Sequence, residues 1–123
     1  MSRSIAIGDI HGCAKTLKFL VEEKIRPEVE DRLYFLGDYV NKGPDSRGVI
    51  DYILGLKRSG VVIECLRGNH DQLMLDAWKD NKYLEDWISR GGDATLESFH
   101  CRSLADISMT YYSFLAMTFF FVE

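Results

Sequence analysis

Five residues of this chain have types and spacing suited to chemistry: Asp9 and His11, two positions apart, then Asp38, and then the adjacent pair Asn69 and His70. Carboxylate, imidazole and amide oxygen form a mixed oxygen–nitrogen donor set that suits Mn²⁺, Fe or Zn²⁺ better than thiol-seeking metals. On an extended segment, the i, i+2 spacing of Asp9 and His11 puts both side chains on one side. Imidazole titrates near neutrality, so a histidine beside such a set can act as a general acid. Each candidate lies in a glycine-flanked loop: Gly8-Asp9-Ile10-His11-Gly12, the stretch from Gly37-Asp38 to Pro44-Asp45-Ser46, and Arg67-Gly68-Asn69-His70-Asp71. Taken singly, these loops read as turns or a helix cap.

What joins them is the order of the elements that carry them. Ser4–Ile7, Leu33–Leu36 and Val61–Leu66 are short apolar runs that read as strands of a parallel sheet covered on both faces. Leu17, Leu20, Val21 and Ile25 follow helical spacing up to Pro27, and Val49, Ile50, Ile53, Leu54 and Leu56 do so between a Ser46 N-cap and a Gly60 terminator. The predicted fold class is therefore α/β, with a parallel-sheet βαβαβ core joined by right-handed crossovers. In such sheets ligands bind beyond the carboxyl ends of the strands. All three loops leave those ends, so Asp9, His11, Asp38, Asn69 and His70 are expected to converge. Beyond residue 70 the pattern is helical at 73–78, 84–88 and 94–99, with a break at Gly91-Gly92, and 119–122 reads as a fourth strand.

Composition narrows the class of protein. The chain has 123 residues, 46% hydrophobic and 28% charged, which fits one packed domain rather than a disordered segment. Its net charge of −4 argues against a general nucleic-acid or membrane-surface binder. Three scattered cysteines give neither a disulfide framework nor a zinc pattern, and no signal peptide is visible, so a reducing, cytoplasmic setting is expected. Neither G-x-G-x-x-G nor a Walker A loop is present, which weakens a nucleotide-binding-module reading. From Met109 to Val122 the chain is almost wholly apolar, too short a run to span a membrane. Residues 1–123 read as one domain that stops early at its C-terminus, with self-association through the apolar end and aggregation of Phe119–Val122 as expected consequences.

The three loops resemble the GDxHG, GDxVDRGPxS and RGNHE/D signatures of calcineurin-like metallophosphoesterases. The resemblance is greatest to the serine/threonine protein phosphatase branch, which also contains the symmetrical diadenosine tetraphosphatases. Gly91–Thr95 and Tyr111–Leu115 are similar to bacterial members, more weakly. The resemblance implies the N-terminal portion of an αββα sandwich and two adjacent divalent metals, Mn²⁺ first, with Fe or Zn²⁺ as alternatives. It implies that Asp9 and His11 hold the first metal, Asp38 bridges, Asn69 binds the second, and His70 protonates the leaving oxygen. Asn69 and Lys42 would contact the substrate phosphate, with Asn41 orienting His70 by accepting its hydrogen bond.

Two departures stand out. Asn41-Lys42 replaces the family's Asp-Arg, so the partner of His70 loses its charge and the phosphate grip loses the bidentate fork of arginine. The two later histidines that complete the second metal site have no counterpart: the third histidine, His100, follows a helical stretch and reads as a surface or packing residue. The expected function is metal-dependent hydrolysis of a phosphoester, on a phosphoprotein or a small molecule, by direct attack of water. The alternative substrate is a diadenosine tetraphosphate-type dinucleotide. The alternative function is an impaired remnant that binds one metal or a partner chain.

Overall fold

The computed structural model describes residues 3–8 and 10–120; Asp9 and the end of the expected fourth strand, Phe121 and Val122, lie outside the described residues. Three strands, β1 (Ser4–Ile7), β2 (Arg32–Phe35) and β3 (Val62–Cys65), form a parallel sheet in the order β1-β2-β3. The register aligns Ser4, Arg32 and Val62 in one row and Ile7, Phe35 and Cys65 in another. Continuous pairing in this order brings the loops after all three strands to one edge of the sheet.

The helices follow from the apolar spacing. After β1 comes α1 (Ala14–Phe19), which runs on as a π-helical segment to Ile25. Leu17 and Val21 turn inward along it, and the chain leaves the helix at Arg26, whose φ is 47°, just before Pro27. Helix α2 (Ser46–Arg58) buries Val49, Ile50 and Ile53 and ends at Gly60, whose φ of 97° lets the backbone reverse. The N-cap of α2 is Asp45, not the expected Ser46: its carboxylate accepts from Gly48 N at 2.8 Å. The Ser46 hydroxyl is buried instead, 3.1 Å from Thr95 Oγ1.

Beyond β3 the chain is helical: α3 (Asn69–Lys79), the short α4 (Leu84–Trp87), α5 (Asp93–Ser98) and α6 (Met109–Ala116). Part of the terminal apolar run is therefore α6, which buries Phe114 and Leu115. The expected fourth strand is reduced, among the described residues, to a parallel bridge between Phe119 and Leu66. Phe119 and Phe120 are exposed.

The apolar runs predict a sheet covered on both faces, whereas the resemblance, with the family's second sheet missing, implies one uncovered face; the first of these is corrected. Leu33, Phe35, Ile7 and Cys65 are buried on one face, but Ser4, Arg32, Val62 and Ala6 on the other are exposed. The strands alternate, as they do in a sheet with one packed face, and Leu33–Leu36 looked continuous because Tyr34 is a half-buried aromatic between core residues. No helix is long and apolar enough to cross a membrane among the described residues.

Candidate metal and phosphate site

The loops that leave β1 and β2 are stitched together by backbone. His11 N donates to Asp38 O at 2.8 Å, Gly12 N to Tyr39 O at 3.0 Å, and Asp45 N to Gly12 O at 2.9 Å. The loop leaving β3 is joined to β2 through one carboxylate. Asp71, fully buried near the start of α3, accepts from Asp38 N at 2.7 Å, Tyr39 N at 3.0 Å and Gly68 N at 2.9 Å. Burial pushes its pKa up to about 7, while those three N–H groups pull the other way by favouring the carboxylate. The two loops lie so close that a Cβ at Gly37, whose φ is 111°, would fall on the Gly68 backbone. Tyr39 closes the seam by donating its hydroxyl to Leu66 O at 2.6 Å.

This stitching holds side chains in costly backbone conformations. His11, Asp38, Asn41 and Lys42 have φ values of 41°, 56°, 73° and 70°, in the left-handed region that L-residues rarely enter. Each costs on the order of 1–3 kcal/mol and persists because its surroundings fix it, as often happens at ligand sites.

His11, Asp38, Asn41 and His70 are brought together. His11 Nδ1 lies 3.0 Å from Val40 O, to which it donates, so Nε2 is the ring nitrogen that faces Asp38 Oδ2 at 4.0 Å. Asp38 Oδ1 accepts from His70 N at 2.9 Å. The rings of His11 and His70 meet edge to face with centroids 4.9 Å apart. A basic nitrogen and a carboxylate oxygen turned towards each other, each secured from behind, fit a divalent cation or a proton. Asp9, the expected partner of His11, lies outside the described residues. Among the described residues no group of three or more His, Cys, Asp and Glu side chains is clustered to hold a metal.

Asn41 meets His70 differently from the expectation. Thr95, buried in α5, accepts from Asn41 N at 2.8 Å and donates its hydroxyl to Asn41 Oδ1 at 3.0 Å. The amide oxygen is thus occupied, and Nδ2 faces His70 Nδ1 at 3.1 Å as a donor. Asn41 therefore selects the neutral tautomer of His70 with its proton on Nε2, rather than accepting from Nδ1. Burial lowers the His70 pKa; Asp38 opposes this, while His11, Lys42 and Arg90 reinforce it.

The other candidates are placed more loosely. Asn69 is exposed at the first position of α3 and lines a cleft with Gly68 and Arg90. Lys42 is exposed, and its backbone N–H donates to Gly91 O at 3.3 Å. His100, with a φ of 55°, lines a separate surface cleft with Pro44 and Glu97. Sequence reasoning gave no role to Asp71 or Thr95. Asp71 carried one usable signal, its place three residues into a helix after Gly68, where a carboxylate reaches back to the capping N–H.

The model of the family described as calcineurin-like phosphoesterase matches residues 2–120. A symmetrical bis(5'-nucleosyl)-tetraphosphatase of Pseudomonas putida (strain W619) is 41% identical over 81 residues, covering 65% of this chain and 27% of that protein. A protein of the same name from Buchnera aphidicola subsp. Schizaphis graminum (strain Sg) is 33% identical over 108 residues, 82% of this chain and 38% of its own length. Among solved structures, a crystal structure assigned as a diadenosine tetraphosphatase superposes with a TM-score of 0.63 at 26% identity, covering 95% of this chain and 46% of that one. The chain thus spans between about a quarter and a half of the proteins it matches.

Proposed function

The chain belongs to the calcineurin-like phosphoesterase family, and from that premise we propose that it is a metal-dependent phosphoester hydrolase in which His70 delivers a proton to the leaving oxygen. The observation that carries this reading is the facing of His11 Nε2 and Asp38 Oδ2 at 4.0 Å, with the His70 ring beside them. His11 and Asp38 would hold a divalent cation, joined by Asp9 and Asn69 as the motifs imply; Mn²⁺, Fe and Zn²⁺ all suit this donor set. A bound divalent metal supplies Lewis-acid polarisation of the phosphate and a water acidic enough to attack at neutral pH.

The residues of the chain do the rest. Val40 O holds the His11 ring, so its orientation is set before any ligand arrives. Asn41 donates to His70 Nδ1 and so turns Nε2 away from the Asn41–Thr95 network, as the nitrogen from which the charged ring would give its proton. Lys42 offers a positive charge to the phosphate from the rim.

Dinucleoside polyphosphates are the favoured substrate class over phosphoserine or phosphothreonine. The support is that the matched relatives carry the name symmetrical bis(5'-nucleosyl)-tetraphosphatase. The test is hydrolysis of p-nitrophenyl phosphate and diadenosine tetraphosphate with Mn²⁺, by the chain as it stands and by Asp38→Ala. Turnover is expected, and Asp38→Ala is expected to abolish it. Turnover that survives the substitution would refute the assignment.

A second reading, a chain that binds one cation without turning substrate over, is supported by the single His–Asp pair among the described residues and the exposed sheet face. Mn²⁺ binding that depends on Asp38, without hydrolysis of either ester, would select it.

A further inference from the structure

The cleft beside His70 has a volume of about 370 Å³ and is lined by Gly68, Asn69, Arg67, Arg90 and Phe120 among others. Two arginines on one cleft next to a phosphate-directed site invite the question of which can take an anion. Arg67 cannot. Its Nε donates to Thr118 Oγ1 at 2.9 Å, Nη1 to Gln72 Oε1 at 2.9 Å, and Nη2 to Ala116 O at 2.9 Å and Thr118 O at 3.0 Å. The Phe120 ring lies over the same guanidinium, 4.8 Å away. Every nitrogen of Arg67 is committed to holding the segment after α6 against β3.

Arg90 is placed otherwise. It is exposed and non-helical, with φ −97° and ψ 18°, at the kink between α4 and α5. Only its Nε is used, on Asp86 at 3.1 Å in an exposed pair that water screens. Its two terminal nitrogens have no partner among the described residues. The next residue, Gly91, accepts from Lys42 N through its carbonyl, which fastens the Arg90 segment to the Lys42 loop. A Cβ at Gly91 would press on Lys42 N, so the approach is as close as glycine allows. Lys42 makes no ion pair among the described residues.

We propose that Arg90 is an anion-binding residue of this site, which takes a substrate phosphate beyond the one attacked, in the cleft it lines with Gly68 and Asn69. The proposal deepens the phosphoester reading above and rests on it. Guanidinium presents paired N–H donors that match phosphate oxygens, and Arg90 holds a free pair where the motif residue Lys42 has only a point charge. A polyphosphate chain, with an anion at each phosphorus, is the substrate class that uses two separated cations.

Titration calorimetry with inorganic tripolyphosphate and no added metal tests this on the full chain, comparing Arg90→Gln, Arg90→Lys and, as a control for lost charge, Arg102→Gln. Arg102 is exposed and lines a different cleft, with Trp78 and Leu104. Arg90→Gln is expected to weaken binding about tenfold, Arg90→Lys by less, and Arg102→Gln by under about twofold. The proposal fails if the unsubstituted chain does not bind tripolyphosphate, if Arg90→Gln binds as well as it does, or if Arg102→Gln loses as much. Hydrolysis of p-nitrophenyl phosphate with Mn²⁺ is read separately. No turnover alongside Arg90-dependent binding would refute the hydrolase reading and leave the anion site standing.

Discussion

The proton on His70 is set by a contact two residues deep. Thr95 occupies Asn41 Oδ1, so Asn41 can only donate to His70 Nδ1. A cationic imidazolium would place two donors face to face there, so Asn41 opposes the charged form that a carboxylate in its place would stabilise. Asn41→Asp is therefore expected to help most where the leaving group needs a proton. General acid catalysis contributes ~10²–10⁴-fold in all, so a gain of about tenfold on an alkyl phosphate and under about threefold on an aryl phosphate is expected. Steady-state rates on the two esters check this, and equal gains would remove His70 from the role of acid. Spacing and residue type made His11, Asp38, Asn41 and His70 legible. The direction of the Asn41 bond was not, because it depends on a hydroxyl 54 positions away.

The start of α3 does more than begin a helix. Asp71 gathers the N–H groups of Asp38, Tyr39 and Gly68, and so fixes the spacing between the loops after β2 and β3. An asparagine has one acceptor oxygen and brings two donors of its own, so Asp71→Asn leaves at least one buried N–H unsatisfied. The expected loss is about 2–4 kcal/mol, from ~1–3 kcal/mol per unsatisfied buried group and the weaker bonds to a neutral acceptor. Urea unfolding measures it; a change under about 0.5 kcal/mol would show that the loops hold their spacing without this carboxylate. At this scale the sequence was informative where chain-local chemistry acts: Pro27, Gly60 and Gly91 all fall where an element ends or kinks. It was misleading at Ser46, a good cap by type, because Thr95 draws that hydroxyl inward and Asp45 caps instead.

Across the whole molecule, the first strand is anchored by Arg3 and Asp31. The buried Asp31 carboxylate accepts from Arg3 N at 2.9 Å, Arg3 Nη2 at 2.7 Å and Glu28 N at 2.8 Å. Arg3 first, then the Glu28 backbone, holds the Asp31 pKa down to about 2. A carboxylate depressed by folding stabilises the native state above its unfolded pKa and loses that contribution as pH falls through the folded value. Stability is thus expected to be level with respect to this group above about pH 4 and to fall between about pH 4 and 2. Thermal melts of Asp31→Asn should show a shallower decline in that window; an unchanged slope would mean that Asp31 titrates as if exposed. By itself the sequence determined the order of strands and helices as far as α3, the parallel class of the sheet and the three loops that hold the candidate residues, because periodicity, turn residues and donor types act within a few positions along the chain. Only the tertiary structure decided which sheet face is covered, which way Asn41 points, and that Arg67 is spent on packing while Arg90 is open. Those outcomes turn on partners dozens of residues apart, whose meeting depends on how the layers close rather than on any local pattern.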